Sequence, residues 1–192
     1  AAVDPSGAAV SRIVARKALL VGMDTGEPAW NGTPPMYFPN NRGEPDGFDV
    51  GVAKQVAGKL GVEPKIVHAK YSELEALLLD PGNKVDAVIS GYVPTETPGI
   101  AWSKPYLEFG LCLIVAKDSK IKTTKDLFGM SIGIFDDEAA AAEVDKLVKG
   151  YTELVRMEDG YWDQLVSGRF DAFIYDYPYA VAEIQHWYAQ NP

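Results

Sequence analysis

The chain has 192 residues, of which 47% are hydrophobic and 23% charged, so it is long enough to bury the core of one or two domains. Its 27 acidic and 18 basic residues give a net charge of -9. This balance argues against a nucleic-acid partner, because binding a phosphate backbone requires a clustered basic face. No stretch approaches the roughly 18 apolar residues of a membrane-spanning helix, and no signal-peptide pattern opens the chain.

Short apolar runs alternate with helically spaced apolar residues along most of the sequence, as is typical of an α/β fold with a parallel sheet. A Pro/Gly-rich loop over 25–46 interrupts the pattern and carries aromatic residues. The predicted strands are 18–23, 62–67, 84–89, 109–116, 132–135, 152–157 and 170–175. The predicted helices are 11–17, 49–60, 72–79, 139–149, 161–167 and 180–188.

The alternation stops in a turn-rich stretch and then restarts, which predicts two lobes. Residues 92–108 contain three prolines, and the strand that follows them leads into a second alternating unit. We therefore predict an N-terminal α/β lobe over 1–108, a hinge strand over 109–117 and a second α/β lobe over 118–192.

An internal echo supports two related lobes. Val85-Asp86-Ala87-Val88-Ile89 follows a helical segment and a glycine, and Phe170-Asp171-Ala172-Phe173-Ile174 does the same in the second half. One such echo is weak evidence of a repeat, but its place in both units favours a common plan.

Several motifs, in order, resemble those of one protein family. They are Gly47-Phe48-Asp49-Val50, Val85 to Gly91, Trp102-Ser103-Lys104-Pro105-Tyr106, Lys117-Asp118-Ser119, and Gly168 to Ala172. The sequence resembles type 2 periplasmic binding proteins, specifically the family 3 solute-binding proteins of amino-acid-type ABC importers. The resemblance implies a two-lobed fold that closes by a hinge around a small ligand, and no catalysis.

The same resemblance implies the surroundings of the protein. We expect a periplasmic or extracellular monomer whose signal peptide has been removed, with the membrane subunits of an ABC importer as its partner and with no cofactor. Family members normally continue with a strand that returns to lobe 1, and this segment is missing here. Either the sequence is incomplete or the protein lacks part of lobe 1, and both readings stay open.

The residues with which this family binds a ligand α-carboxylate are replaced in this sequence. The resemblance places an arginine a few residues after the Ser90-Gly91 strand end, where this chain has Pro98, and Phe135-Asp136-Asp137 replaces a threonine-containing turn. The loss matters because arginine pairs with a carboxylate through two hydrogen bonds. The resemblance keeps two acids for a cationic ligand, Asp24 after the first strand and Asp176 after the last.

We therefore predict a small polar ligand, cationic and of the amine or quaternary ammonium type, because aromatic faces bind such cations. A neutral ligand such as a sugar comes next, and a metal ion held by carboxylates is a distant third. Each acid also has a local explanation as a turn residue or helix cap, and each aromatic residue one as core. The candidate ligand-binding residues are Asp24, Trp30, Tyr37, Ser90, Gly91, Tyr92, Thr95, Phe135, Asp136, Asp137 and Asp176.

Enzyme motifs are weak. Gly129 to Gly133 formally matches G-x-S-x-G, but a nucleophile elbow needs a strand before the serine, whereas here the predicted strand starts near Ser131. The only candidate bases, His68 and His186, lie in different lobes, and their scarcity also argues against zinc. We expect no catalytic residue and no metal. A sensor or accessory role, and a dehydratase of the same fold, remain alternatives.

Overall fold

The computed structural model describes residues 7–26, 32–135, 138–157 and 159–191. The chain folds into two compact units, Ala1–Leu107 and Glu108–Pro192, and each is described separately. The assignment of 109–117 as a hinge strand remains a prediction.

Unit 1 is built on a parallel sheet of three strands in the order β4-β1-β5. Val21 and Met23 on the central strand β1 are fully buried, because helices cover the sheet. The elements are α1 (Ala8–Arg16), β1 (Ala18–Asp24), β2 (Phe38–Pro39), β3 (Pro45–Asp46), α2 (Phe48–Lys59), β4 (Glu63–Ala69), a 3₁₀ turn (Tyr71–Glu73), α3 (Leu74–Leu78) and β5 (Ala87–Val88).

Unit 2 contains a four-stranded sheet in the order β6-β9-β7-β8, parallel except for the antiparallel pair β6 and β9. Its elements are β6 (Leu111–Ile114), a 3₁₀ turn (Thr124–Leu127), β7 (Ser131–Phe135), α4 (Glu138–Leu147), β8 (Glu153–Met157), α5 (Tyr161–Val166), β9 (Ala172–Asp176) and α6 (Tyr177–Gln190). Among the described residues, no helix combines the length and the apolar character needed to cross a membrane.

The predicted elements are present, although most of their ends are shifted by one to three residues. The strand predicted over 84–89 is confined to Ala87–Val88, although Asp86 and Ile89 still donate backbone hydrogen bonds to β1 at 2.8 and 3.1 Å. This segment pairs with β1 and with no other described strand, so its ends are not held as regular strand. The helix predicted over 72–79 begins as a 3₁₀ turn before α3.

The internal echo has a physical basis in two aspartates. Asp86 Oδ2 accepts a hydrogen bond from the backbone N–H of Leu20 on β1 at 2.8 Å, and the N–H of Asp86 donates to Leu20 O. Asp171 Oδ2 accepts from the N–H of Ser131 on β7 at 2.8 Å, and the N–H of Asp171 donates to Ser131 O. Each aspartate therefore holds its strand in register with the central strand of its own sheet.

The register of the two sheets is also equivalent. Gly22 lies opposite Val88 in unit 1, and Gly133 lies opposite Phe173 in unit 2. At Gly133 a Cβ atom would lie 2.7 Å from the Phe173 ring, so glycine is required where that ring packs on the sheet. The equivalence places Asp24 and Phe135 at the same position, the carboxyl end of the central strand.

Candidate functional site

The carboxyl edge of the unit 1 sheet, where ligands bind in many open α/β sheets, brings Asp24 and Ser90 together. The backbone N–H of Asp24 donates to Ser90 Oγ at 2.8 Å, and Ser90 is buried. Asp24 Oδ1 accepts from the N–H of Gly26 at 2.9 Å, and the hydroxyl of Thr33 donates to Asp24 O. Asp24 thus closes a turn at this edge, and its contact with a ligand remains a prediction.

Tyr37 lies beside the same edge but is part of the core. It packs into the hydrophobic cluster of unit 1 and is 8% exposed. Its ring meets the His68 ring edge-on at 6.2 Å, and His68 Nδ1 lies 3.0 Å from Thr25 Oγ1. That Tyr37 contacts ligand remains a prediction, and its burial favours a supporting role.

Three aromatic rings stack in the segments that follow β4 and β5. The rings of Tyr71 and Tyr92 are 4.5 Å apart and nearly parallel, and Tyr92 stacks in turn on Trp102 at 5.8 Å. Tyr71 and Trp102, at the ends of the stack, remain 43% and 38% exposed. Exposed aromatic faces of this kind attract organic cations.

Glu75 on α3 accepts hydrogen bonds from hydroxyl groups of the loop after β5. Thr95 and Thr97 each donate to one of its carboxylate oxygens at 2.6 Å, and these bonds hold the pKa of Glu75 below its usual value. The hydroxyl of Tyr92 bonds to the same carboxylate, and burial together with this negative charge raises the pKa of Tyr92 to about 12. The predicted ligand residue Thr95 therefore already has a partner within unit 1.

In unit 2, Phe135 closes the carboxyl end of β7 within an aromatic cluster. Its ring lies 4.6 Å from the Tyr175 ring, 5.0 Å from the Tyr161 ring and 5.7 Å from the Phe173 ring. Phe135 is partly buried. These ring contacts hold Phe135 in place at the carboxyl edge of the sheet.

Glu183 on α6 ties the polar ends of that cluster together. It accepts hydrogen bonds from the hydroxyls of Tyr175, at 2.9 Å, and Tyr161. Burial raises the pKa of Glu183, and it also raises the pKa of both tyrosines. Helix α6 is thereby held against β9 directly after Asp176.

Asp176 ends β9 and occupies the N-cap position of α6, although its side chain makes no capping hydrogen bond. Its negative charge adds to burial in raising the pKa of the Cys112 thiol on the paired strand β6. Asp176 and Phe135 thus lie at the carboxyl edge of one sheet, as predicted for residues of a shared site. Their contact with ligand remains a prediction.

Other predicted residues lie outside this arrangement or outside the described ranges. Trp30, Asp136 and Asp137 lie outside the described residues. Ser131 begins β7, and its hydroxyl donates to Asp171 at 2.7 Å, which accounts for it structurally. Within 7–26, 32–135, 138–157 and 159–191, no three His, Cys, Asp or Glu side chains gather as a metal site would require.

Residues 29–177 match the model of the bacterial extracellular solute-binding proteins, family 3. The chain belongs to this family. The arginine-binding extracellular protein ArtP of Bacillus subtilis (strain 168) is 30% identical over 151 residues, which are 74% of this chain and 58% of ArtP. The L-cystine-binding protein TcyJ of Escherichia coli (strain K12) is 31% identical over 130 residues, 65% of this chain and 46% of TcyJ. The chain thus spans about half the length of these curated relatives.

Solved structures agree with the family and with its type 2 fold. The arginine-bound form of truncated ArgBP from T. maritima has a TM-score of 0.66 and 34% identity, covering 92% of this chain and 81% of that one. The ancestral amino acid-binding protein AncCDT-1, a precursor of cyclohexadienyl dehydratase, has a TM-score of 0.69 and 27% identity, covering 92% and 77%. The prediction of a solute-binding protein of family 3 is therefore confirmed.

The family motif Gly47-Phe48-Asp49-Val50 opens α2 and buries a carboxylate. Asp49 is fully buried, the hydroxyl of Tyr106 donates to its Oδ1 at 2.9 Å, and its Oδ2 has no hydrogen-bond partner among the described residues. Burial raises the pKa of Asp49 to about 6, against smaller opposing effects of Tyr106 and the Gly91 backbone. Asp49 thus joins α2, the end of β5 and Tyr106, the last tyrosine of unit 1.

The substitution Asp49→Asn should change how the stability of the binding protein depends on pH. Because the folded-state pKa of Asp49 is about 6 rather than 3.8, its stabilising contribution is present below pH 4 and lost as the pH rises through 6. Ionising Asp49 costs about 3 kcal/mol more in the folded protein, at about 1.4 kcal/mol for each unit of pKa. In urea titrations from pH 4 to 8, Asp49→Asn should gain about this much free energy of unfolding relative to the unsubstituted protein.

The matched control for this experiment is Glu63→Gln, which removes an exposed acid at the start of β4. Its difference from the unsubstituted protein should stay constant over the same pH range. A constant difference for Asp49→Asn as well would show that folding does not raise the pKa of Asp49.

Two contributors to the site were not predicted from the sequence. Glu75 has the sequence features of an ordinary polar position on α3, and Glu183 those of one on α6. Neither residue has a local signal. Thr95 and Thr97 lie 20 and 22 residues from Glu75, and Tyr161 lies 22 residues from Glu183. The hydrogen bonds between these carboxylates and distant Tyr and Thr residues could be suspected only after the sheet order was known.

Proposed function

We propose that this chain captures a small cationic solute of the amine or quaternary ammonium type outside the cytoplasm and delivers it to an ABC importer. One observation carries the proposal: in each unit an acid ends a strand of the sheet, Asp24 on β1 and Asp176 on β9, and aromatic rings pack in the same unit. A desolvated cation over an aromatic face gains roughly 2 kcal/mol, and a nearby carboxylate adds attraction. The relative ArtP is an arginine-binding protein, which supports a cationic solute.

Capture without chemistry is the second part of the proposal. The relatives named above are binding proteins, and the one serine in an enzyme-like motif is held by Asp171. A dehydratase is the alternative suggested by AncCDT-1, described as a precursor of such an enzyme. An acidic substrate would need basic side chains to bind it, and residues 90–102 after β5 contain no Lys, Arg or His. We propose that the protein acts as a monomer in the periplasm or outside the cell.

A thermal-shift screen of amines, quaternary ammonium compounds, amino acids and sugars tests this function. A cationic amine at about 100 times its Kd should stabilise the protein by about 2.7 kcal/mol, raising the Tm by about 5 °C or more for a chain of this size. Sugars should leave the Tm unchanged. A clear preference for neutral zwitterionic amino acids would contradict the proposed solute class, and no shift in any class would favour a protein partner or a sensor role.

A further inference from the structure

The loop after β5 is tied to α3 in a way that fixes its polarity. Glu75 receives the hydroxyls of Thr95, Thr97 and Tyr92, and the two threonine oxygens lie 3.0 Å apart. The Trp102 indole N–H donates to the backbone oxygen of Thr95 at 3.0 Å. The hydroxyl donors of this loop are therefore already engaged by a carboxylate, and the indole N–H by a backbone oxygen.

The charge of the loop after β5 has the same sign. Residues 90–102 carry Glu96 and no basic side chain, and Glu75 lies directly beneath them. The hydrogen bonds from Thr95 and Thr97 keep the pKa of Glu75 low, so Glu75 stays ionised at neutral pH. A ligand carboxylate here would meet a fixed negative charge and hydroxyl groups directed away from it.

The aromatic stack adds a surface that suits the opposite charge. Tyr92 is the central ring of the stack, and its hydroxyl is one of those that bond to the Glu75 carboxylate. Glu75 therefore holds the central ring in place while Tyr71 and Trp102 keep exposed faces. The same residue that repels an anion thus orients the rings that attract a cation.

We propose that Glu75 is a specificity-determining residue, which makes this chain prefer cationic amines that lack a carboxylate over the amino acids that carry one. The inference rests on the proposed function and deepens it by naming the solute class. Glu75 acts in two ways, by its charge and by positioning the loop through Thr95, Thr97 and Tyr92. The substitution Glu75→Gln removes the charge but keeps one of the two acceptor oxygens, whereas Glu75→Ala removes both, so the two variants together separate these effects.

The test uses pairs of probes that differ by one carboxylate: agmatine against arginine, and cadaverine against lysine. Titration calorimetry gives the ratio of the two Kd values for each pair. The unsubstituted chain should bind agmatine and cadaverine more tightly than their amino acids. In Glu75→Gln the preference should fall by roughly five-fold, the scale of one partly screened charge pair, while Glu75→Ala should also weaken agmatine itself because the loop is released.

The matched control is Glu73→Gln, an exposed acid in the 3₁₀ turn before α3 whose carboxylate bonds to the backbone N–H of Lys70. It removes the same charge two residues away and should leave both ratios unchanged. Equal ratios in Glu75→Gln and the unsubstituted chain would overturn the role of Glu75 and leave the proposed function standing. Tighter binding of arginine than of agmatine by the unsubstituted chain would overturn the inferred solute class, and binding of no probe would overturn the proposed function itself.

Discussion

Replacing Asp176 with alanine should weaken the binding of a cationic solute by about 2–5 kcal/mol, because the solute's charge would then be desolvated without its partner. Such a loss corresponds to a roughly thirty-fold or larger increase in Kd. Asp176 is suited to this role by its position at the end of β9, next to the first turn of α6. Glu183 and its tyrosine partners fix that helix, so the carboxylate is held by a rigid base.

Titration calorimetry with agmatine or with the best ligand of the thermal-shift screen measures this effect. Asp176→Asn keeps the size of the side chain and should lose most of the same affinity, because only the charge is removed. Asp118→Asn, which neutralises an exposed turn residue of unit 2, should change the Kd little. Unchanged affinity in Asp176→Ala would remove Asp176 from the site.

The second large effect is expected on stability, from Phe173→Ala in the core of unit 2. Phe173 is fully buried on β9, stacked on the Tyr161 ring at 5.1 Å and 5.6 Å from the Trp162 ring. Removing a buried phenylalanine ring costs about 3–5 kcal/mol through lost burial and the cavity that remains. We expect a loss of this size in the free energy of unfolding, measured by urea titration with circular dichroism.

Phe128→Ala is the control for this substitution, because it removes the same ring from a position that is 75% exposed. Its cost should be about 1 kcal/mol or less, as for most surface substitutions. Similar losses for the two variants would mean that the aromatic cluster does not carry the stability of unit 2. The comparison also bears on the site, because Phe173 supports Phe135 and Tyr175 from below.

The secondary structure of this protein was largely readable from the sequence. Strands such as β1 and β7 are continuous apolar runs, and α2 and α4 carry apolar residues at helical spacing, so local burial patterns identify them. The predicted strand over 84–89 was too long, since periodicity reports which residues are apolar and not how many neighbours a strand will have. The family was readable as well, because its motifs stand in a fixed order.

The position of the candidate site residues was only partly readable. Asp24, Ser90 and Asp176 were placed at strand ends from the sequence, and the structure puts each of them at the carboxyl edge of its sheet. Thr95 was predicted to face the ligand, yet its hydroxyl donates to Glu75. No sequence pattern joins Thr95 to Glu75, because they belong to a loop and a helix that approach each other only after β5 pairs with β1.

The sequence alone determined the α/β class, the approximate elements, the family and the acidic, aromatic character of the strand ends, since each depends on residues close together in the chain. The tertiary structure decided which distant residues meet: Asp86 with Leu20, Asp171 with Ser131, Glu75 with the threonines, and Glu183 with the tyrosines. The physical reason is that hydrogen bonds between separate segments depend on sheet order and helix packing. A local pattern of apolar and polar residues does not specify either one.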